Sequence, residues 1–160
     1  MTDIDEAYEP ARPTVAAGAL FSDERGRVLL VQTSYEPHRD IPGGFVEDGE
    51  SPRQACAREV REELGVIAAL GRLLAVDWAP AEGGTDRLLF VFDAGVVTDN
   101  LRERIQPDGD EIVGWDFHPV AELDDLLIPR LARRVAAAAA ARRVENTVYL
   151  EHGSPPGAVS

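Results

Sequence analysis

The sequence contains no lysine: all 16 of its basic residues are arginine, set against 29 acids for a net charge of −13. That excludes a P-loop, which needs its lysine, and Schiff-base chemistry. It also argues against a nucleic-acid polymer as partner, because such binding draws on clustered cationic contacts to phosphates. Cys56 is the only cysteine, so no intramolecular disulfide can form, and it reads as a small packing residue. No apolar run approaches the roughly 20 residues that span a bilayer. The opening "MTDIDEAYEP" is acidic and lacks a hydrophobic signal region, so the expectation is a cytoplasmic protein without membrane association. H-E-x-x-H, G-x-S-x-G and C-x-x-C are all missing. The three histidines, His38, His118 and His152, are scattered without metal spacing, and only His38 lies near a glycine turn.

What is present is a long chain segment of unusual charge. In "GGFVEDGESPRQACAREVREELGV", Ser51 suits an N-cap, Pro52 the first helical position, and Gln54 completes a capping box. Gly65 follows Leu64 as a stop, so the pattern predicts a helix over 52–64. At 100° per residue Glu59, Glu62 and Glu63 share an arc of about 100°, beside an apolar stripe of Ala57, Val60 and Leu64. Like charges three or four apart cost roughly 0.2–0.5 kcal/mol per pair. Arg58 can pair with Glu62, which permits a solvated, salt-bridged face. The alternative is that a hard divalent cation such as Mg²⁺ supplies the missing positive charge. Gly43-Gly44, just upstream, is either a tight turn or a place where backbone approaches a ligand closely.

Taken together, Gly44, Glu50, Arg58, Glu59, Val60, Glu62, Glu63, Gly65 and Val66 fill G-x5-E-x7-R-E-U-x-E-E-x-G-U, where U is a bulky aliphatic. At average residue usage the chance per starting position is on the order of one in a billion. The box resembles that of the Nudix hydrolases, with every defining position filled. "IPGGFVEDGE" resembles the family's approach to the box, and "DEIVGWDFHPVAEL" its closing strand and short helix, so the likeness covers roughly residues 13–128. One departure is Arg39, three residues before Pro42, where many relatives carry Trp.

Along the rest of the chain, 14–21, 27–32, 70–78, 87–97 and 111–117 read as strands, and 121–127 as a short helix. Residues 98–109 read as a polar connection with a turn at Pro107-Asp108-Gly109. Pro129 opens a helix through about Arg143 that contains a run of six alanines. The order implies a mixed β-sheet flanked by helices, an α/β chain, which the resemblance sharpens to the Nudix α/β/α sandwich with a loop–helix–loop motif. The expected organisation is a flexible N-terminal segment 1–12, a domain 13–144 that includes the C-terminal helix, and a mobile tail 145–160.

The resemblance implies hydrolysis of a diphosphate linkage in a nucleoside diphosphate joined to another moiety, with Mg²⁺ or Mn²⁺ as cofactor. Carried over by position, Glu59 and Glu63 are the strongest metal ligands, then Glu62, with the Gly44 carbonyl a further one. Arg58 orients a neighbouring carboxylate, and Glu50 organises the loop. Relatives place the general base either on the box helix, here Glu62, or on a later acid, for which Glu111 is the candidate and Asp110 its neighbour. Pro80 stands close to where ADP-ribose-cleaving relatives carry a proline. No tyrosine stands where dinucleoside polyphosphate hydrolases have one. A small nucleotide-type substrate is therefore expected, ADP-ribose-like compounds narrowly ahead of oxidised or ordinary nucleoside triphosphates. Trp78, Phe90, Phe92 and Trp115 are either core or a base-stacking surface. Relatives are often homodimers. The rival reading is a non-catalytic Nudix-fold nucleotide-binding or regulatory module, against which the intact glutamates speak.

Overall fold

The computed structural model describes residues 8–157, so residues 1–7 of the expected N-terminal segment lie outside the described residues. Strands β1 (Thr14–Ser22) and β2 (Val28–Thr33) leave a tight turn in which the Asp23 carboxylate accepts from Arg25 N at 3.0 Å and Arg27 N at 2.8 Å. They pair at Ser22 and Val28 and then diverge. The chain from Asp40 to Phe45 fills the opening: Asp40 bridges Val31, Ala19 N donates to Pro42 O at 2.8 Å, and β3 (Gly43–Phe45) lies antiparallel to β1. This insertion places the glycine pair in a strand of the sheet, which neither sequence reading of the pair, tight turn or close approach to a ligand, includes.

Helix α1 (Pro52–Leu64) has the bounds the sequence predicts, and both capping-box bonds form, Gln54 N to Ser51 Oγ at 3.2 Å and Ser51 N to Gln54 Oε1 at 2.8 Å. Gly65 ends it at φ 69°. Strands β4 (Leu73–Ala79) and β5 (Arg87–Val96), helix α2 (Asp99–Arg104) and strand β6 (Ile112–His118) follow. A 3₁₀ turn over Val120–Glu122, helix α3 (Leu123–Leu126), helix α4 (Pro129–Arg143) and strand β7 (Val148–Glu151) complete the described chain. The sheet runs β6-β2-β1-β5-β4-β7, with β3 on β1. Both parallel pairs (β1–β5 and β4–β7) lie inside an otherwise antiparallel arrangement, giving the expected mixed sheet.

Alternation along the strands splits the core in two. Ala17, Ala19, Phe21, Leu29 and Val31 face α1 through Cys56, Val60 and Leu64. Leu20, Leu30, Leu74, Val91 and Leu150 face α3 and α4 through Leu123, Leu131, Val135 and Ala138. The alanine run lets α4 lie close on the sheet, with Ala138 fully buried.

Three segments differ from the sequence reading. The polar connection contains α2, capped by the Thr98 side chain on Leu101 N at 3.2 Å. The single short helix after β6 is split into the 3₁₀ turn and α3. The segment taken as a tail supplies β7, parallel to β4, and a turn beyond it fixed by Gly153 N donating to Asp77 Oδ1 at 3.0 Å. Asp77 is fully buried and also accepts from Arg134 Nε at 2.6 Å, joining β4, α4 and the C-terminal turn through one carboxylate.

Candidate active site

The capping box and Gly65 fix the register of α1, and its apolar stripe fixes the helix's roll on the sheet, so the positions of its glutamates follow. Glu59 and Glu63 meet β3. A Cβ built on Gly44 would stand 2.5 Å from the Glu59 carboxyl carbon, so only glycine lets the two approach. Gly43 N donates to Glu63 Oε2 at 3.1 Å. The arc shared by the three glutamates is graded in burial: the Glu63 side chain is buried, that of Glu59 is 16% exposed, and that of Glu62 is 55% exposed. The helical wheel puts Glu63 on the side toward the apolar stripe, and β3 closes over that side.

Arg58 collects the others. Its guanidinium donates to both Glu50 oxygens, at 2.7 and 3.0 Å, and to Glu59 at 2.9 Å, Glu62 at 3.2 Å and the Phe45 carbonyl at 3.1 Å. The like charges of the helix are thus partly answered within the chain. Glu50 also accepts from Glu47 N at 2.8 Å, which closes the loop before α1. The Arg58 hydrogen bonds, with that backbone bond, hold the Glu50 carboxyl down at about 2. The same bond to Glu50 raises the Arg58 guanidinium, helped by Glu59.

Glu63 behaves oppositely. Burial pushes its carboxyl up to about 8, the Gly43 hydrogen bond opposes this, and the charges of Glu59, Asp40 and Glu111 add to the rise. Burial raises Glu59 as well, against the pull of Arg58. Glu111, just before β6, is thus close enough for its charge to act on both box glutamates. Its neighbour Asp110 is exposed, and its backbone N–H is taken by the Asp108 side chain at 2.9 Å.

Two groups beside the site escape a reading of the sequence. Asp40 acts on Glu63, and its own carboxyl is raised by desolvation. Tyr35 is raised by desolvation and then by the charges of Asp40, Glu111 and Glu63. Their only sequence signal is closeness to the glycines. Arg39 takes part in the frame here: its N–H donates to Leu126 O at 2.9 Å and its guanidinium to Gln32 at 3.1 Å. His38 lies 3.8 Å from Glu36, and His118 is in β6. Of the aromatics, Phe92 is buried core with Arg53 over its ring, Phe90 and Trp115 pack against that core, and Trp78 is half-buried on β4. Pro80 is exposed directly after β4.

Among the described residues no three Asp, Glu, His or Cys side chains are gathered into a ready cage for an ion. The donor set still fits Mg²⁺ or Mn²⁺. Such ions take hard oxygens and are commonly held by one or two carboxylates, with water and substrate phosphates completing the shell. Glu59 and Glu63, on consecutive turns of one helix beside backbone that approaches through glycine, meet that description.

Residues 12–141 match the family described as NUDIX domain. A putative 8-oxo-dGTP diphosphatase of Bacillus subtilis is 30% identical over 76% of this chain and 77% of its own length. An ADP-ribose pyrophosphatase of Methanocaldococcus jannaschii is 32% identical over 51% of each chain. Among solved structures, a UDP-X diphosphatase superposes with a TM-score of 0.70 at 23% identity, over 91% of this chain and 70% of that one. An ADP-ribose pyrophosphatase of Streptococcus suis does so at 0.63 and 22%, over 88% and 99%. At such identities these two establish the fold.

Proposed function

Because the chain belongs to the NUDIX domain family and is a Nudix hydrolase, a diphosphatase, we propose that it cleaves the diphosphate linkage of a nucleoside diphosphate derivative. An ADP-ribose-like compound is the leading substrate, and an oxidised or ordinary nucleoside triphosphate the second. The observation that carries the reading is the seating of Glu59 and Glu63 against the backbone of Gly43 and Gly44. The place of Pro80 and the archaeal relative support the first substrate class, and the longer match to the Bacillus relative supports the second.

Water must attack a phosphorus already surrounded by negative oxygens. A bound divalent ion neutralises those oxygens, orients the diphosphate and makes water a stronger acid. Glu59 and Glu63 would hold that ion, with Glu62 secondary and the Gly44 carbonyl a further ligand. Arg58 fixes the Glu59 carboxylate and, through Glu50 and the Phe45 carbonyl, the loop that carries Gly44. Glu111 is the general base that takes the proton from water, and Glu62 on the box helix is the alternative. Clustered carboxylates suit both duties, since a carboxylate oxygen can hold a hard cation or accept a proton.

The test is phosphate release, through a coupled phosphatase, from ADP-ribose, NADH, nucleotide sugars, dinucleoside polyphosphates and ordinary and oxidised dNTPs, each with Mg²⁺, Mn²⁺ or chelator. Metal-dependent turnover lost in folded Glu59→Gln and Glu63→Gln variants supports the site assignment, and the preferred compound names the substrate class. Unchanged turnover in both variants sinks the assignment. Silence across the panel with nucleotide still bound returns the chain to the binding-module reading.

A further inference from the structure

We propose that Asp108 is a positioning residue for Glu111, locking the acid's loop onto the C-terminal end of the box helix. The proposal rests on the reading of Glu111 as general base. The last carbonyls of an α-helix lack partners within the helix. In α1 two of them are taken by this loop: Gln106 N donates to Leu64 O at 2.8 Å, and Asp108 N to Glu63 O at 3.2 Å. Asp108 therefore hangs on the backbone of a box glutamate. Its Oδ1 then accepts from Asp110 N and Ile112 N, both at 2.9 Å, spanning Glu111 from either side. Gly109 N to Ile112 O at 3.0 Å closes the same turn, and Ser34 N holds the Glu111 carbonyl at 2.9 Å. The Asp108 carboxylate oxygen is thus the side-chain link that references the backbone of Glu111 to that of Glu63, beside the backbone bonds of the turn. Any slack in that oxygen becomes displacement of the acid relative to the glutamates.

What matters in this arrangement is an acceptor at the Oδ1 position, and the charge does not. Asp108→Asn keeps the acceptor and is expected to turn over the best substrate of the panel at the wild-type rate. Asp108→Ala frees two N–H groups and is expected to lower kcat by roughly 10²-fold, the scale of an ångström of misplacement, with KM little changed. Asp108→Glu keeps the charge but moves the acceptor. It is expected to be slow as well, and it carries the test if the alanine variant does not fold. The deciding measurement is kcat of Asp108→Ala, Glu111→Gln and the double variant with Mg²⁺. If Asp108 acts through Glu111, the double variant is no slower than Glu111→Gln alone. A double variant slowed by the product of the two single losses overturns the proposal, as does an asparagine variant as slow as the alanine one. Wild-type kcat in Glu111→Gln is a separate failure, that of the base assignment itself, and removes the proposal with it.

Discussion

Gly43 and Gly44 are adjacent, yet adding one methyl group to each is expected to damage the protein in different ways. On Gly44 the atoms nearest the new Cβ are the end of the Glu59 side chain, at 2.5 Å from Cδ and 2.6 and 2.9 Å from the two oxygens. Ordinary Cβ contacts begin at 3.4 Å, so the carboxylate must retreat by about 1 Å, which its flexible stem allows. The fold should survive, with Tm close to wild type, while metal-dependent turnover falls by about 10²-fold, or about 2.7 kcal/mol. On Gly43 the Cβ would stand 2.3 Å from the Ala17 carbonyl oxygen and 2.7 Å from Gly18 Cα, at φ 152°. Both obstacles are backbone of β1, so β3 must separate from it. Overpacking and backbone strain together cost about 2–6 kcal/mol. For a domain of this size that lowers Tm by on the order of 10 °C. Thermal unfolding followed by circular dichroism, beside phosphate release with Mg²⁺, separates the two outcomes. A Gly44→Ala variant with full turnover would refute the claim that the close approach of Glu59 serves the chemistry.

Other consequences can be checked as simply. Glu50, with a folded pKa of about 2 against an unfolded value of 4.5, contributes stability that is complete above pH 4.5 and lost as pH falls toward 2. Between pH 5 and 3 the wild type should therefore lose more Tm than Glu50→Gln, and equal losses would contradict the Arg58 pairing. Cys56 is fully buried and its thiol is pushed up to about 12, chiefly by burial, so native protein at pH 8 should resist a thiol reagent until it unfolds. Rapid labelling of folded protein would count against the packing of α1. Asp77→Ala leaves Arg134 buried without its carboxylate and frees Gly153 N, for a loss of about 3–5 kcal/mol in denaturant unfolding. A loss under about 1 kcal/mol would mean that the pair is solvated.

The elements most legible in the sequence are those whose signals are local. Ser51, Pro52, Gln54 and Gly65 mark both ends of α1 locally, and the box residues carry the family resemblance that implies the chemistry. Helix α2 escaped because none of its residues is buried, so no apolar period sets it off from a polar loop. Strand β7 escaped because Val148–Glu151 is a short run before "HGSPPG", and its partner β4 lies some seventy residues away. The site divides likewise. Helical geometry put Glu59, Glu62 and Glu63 on one arc. Their unequal burial depends on β3, whose place between β1 and β2 is set by tertiary pairing. Asp40, Asp77 and Arg134 carry no motif at all, and their importance arises only from what the fold brings beside them.

The late arrival of β7 also bears on how the molecule is made. Asp77 is synthesised before the two groups that donate to its oxygens, which come 57 and 76 residues later. Until Gly153 has left the ribosome, β4 presents an open strand edge and the carboxylate has no settled place to be buried. A chain stalled or clipped before that point advertises both defects, an edge ready to pair with other chains and a charge on the wrong side of the core. Pairing of β7 with β4 and the burial of Asp77 against Arg134 and Gly153 are thus a single event, and a segment distant in the chain certifies that part of the sheet as finished.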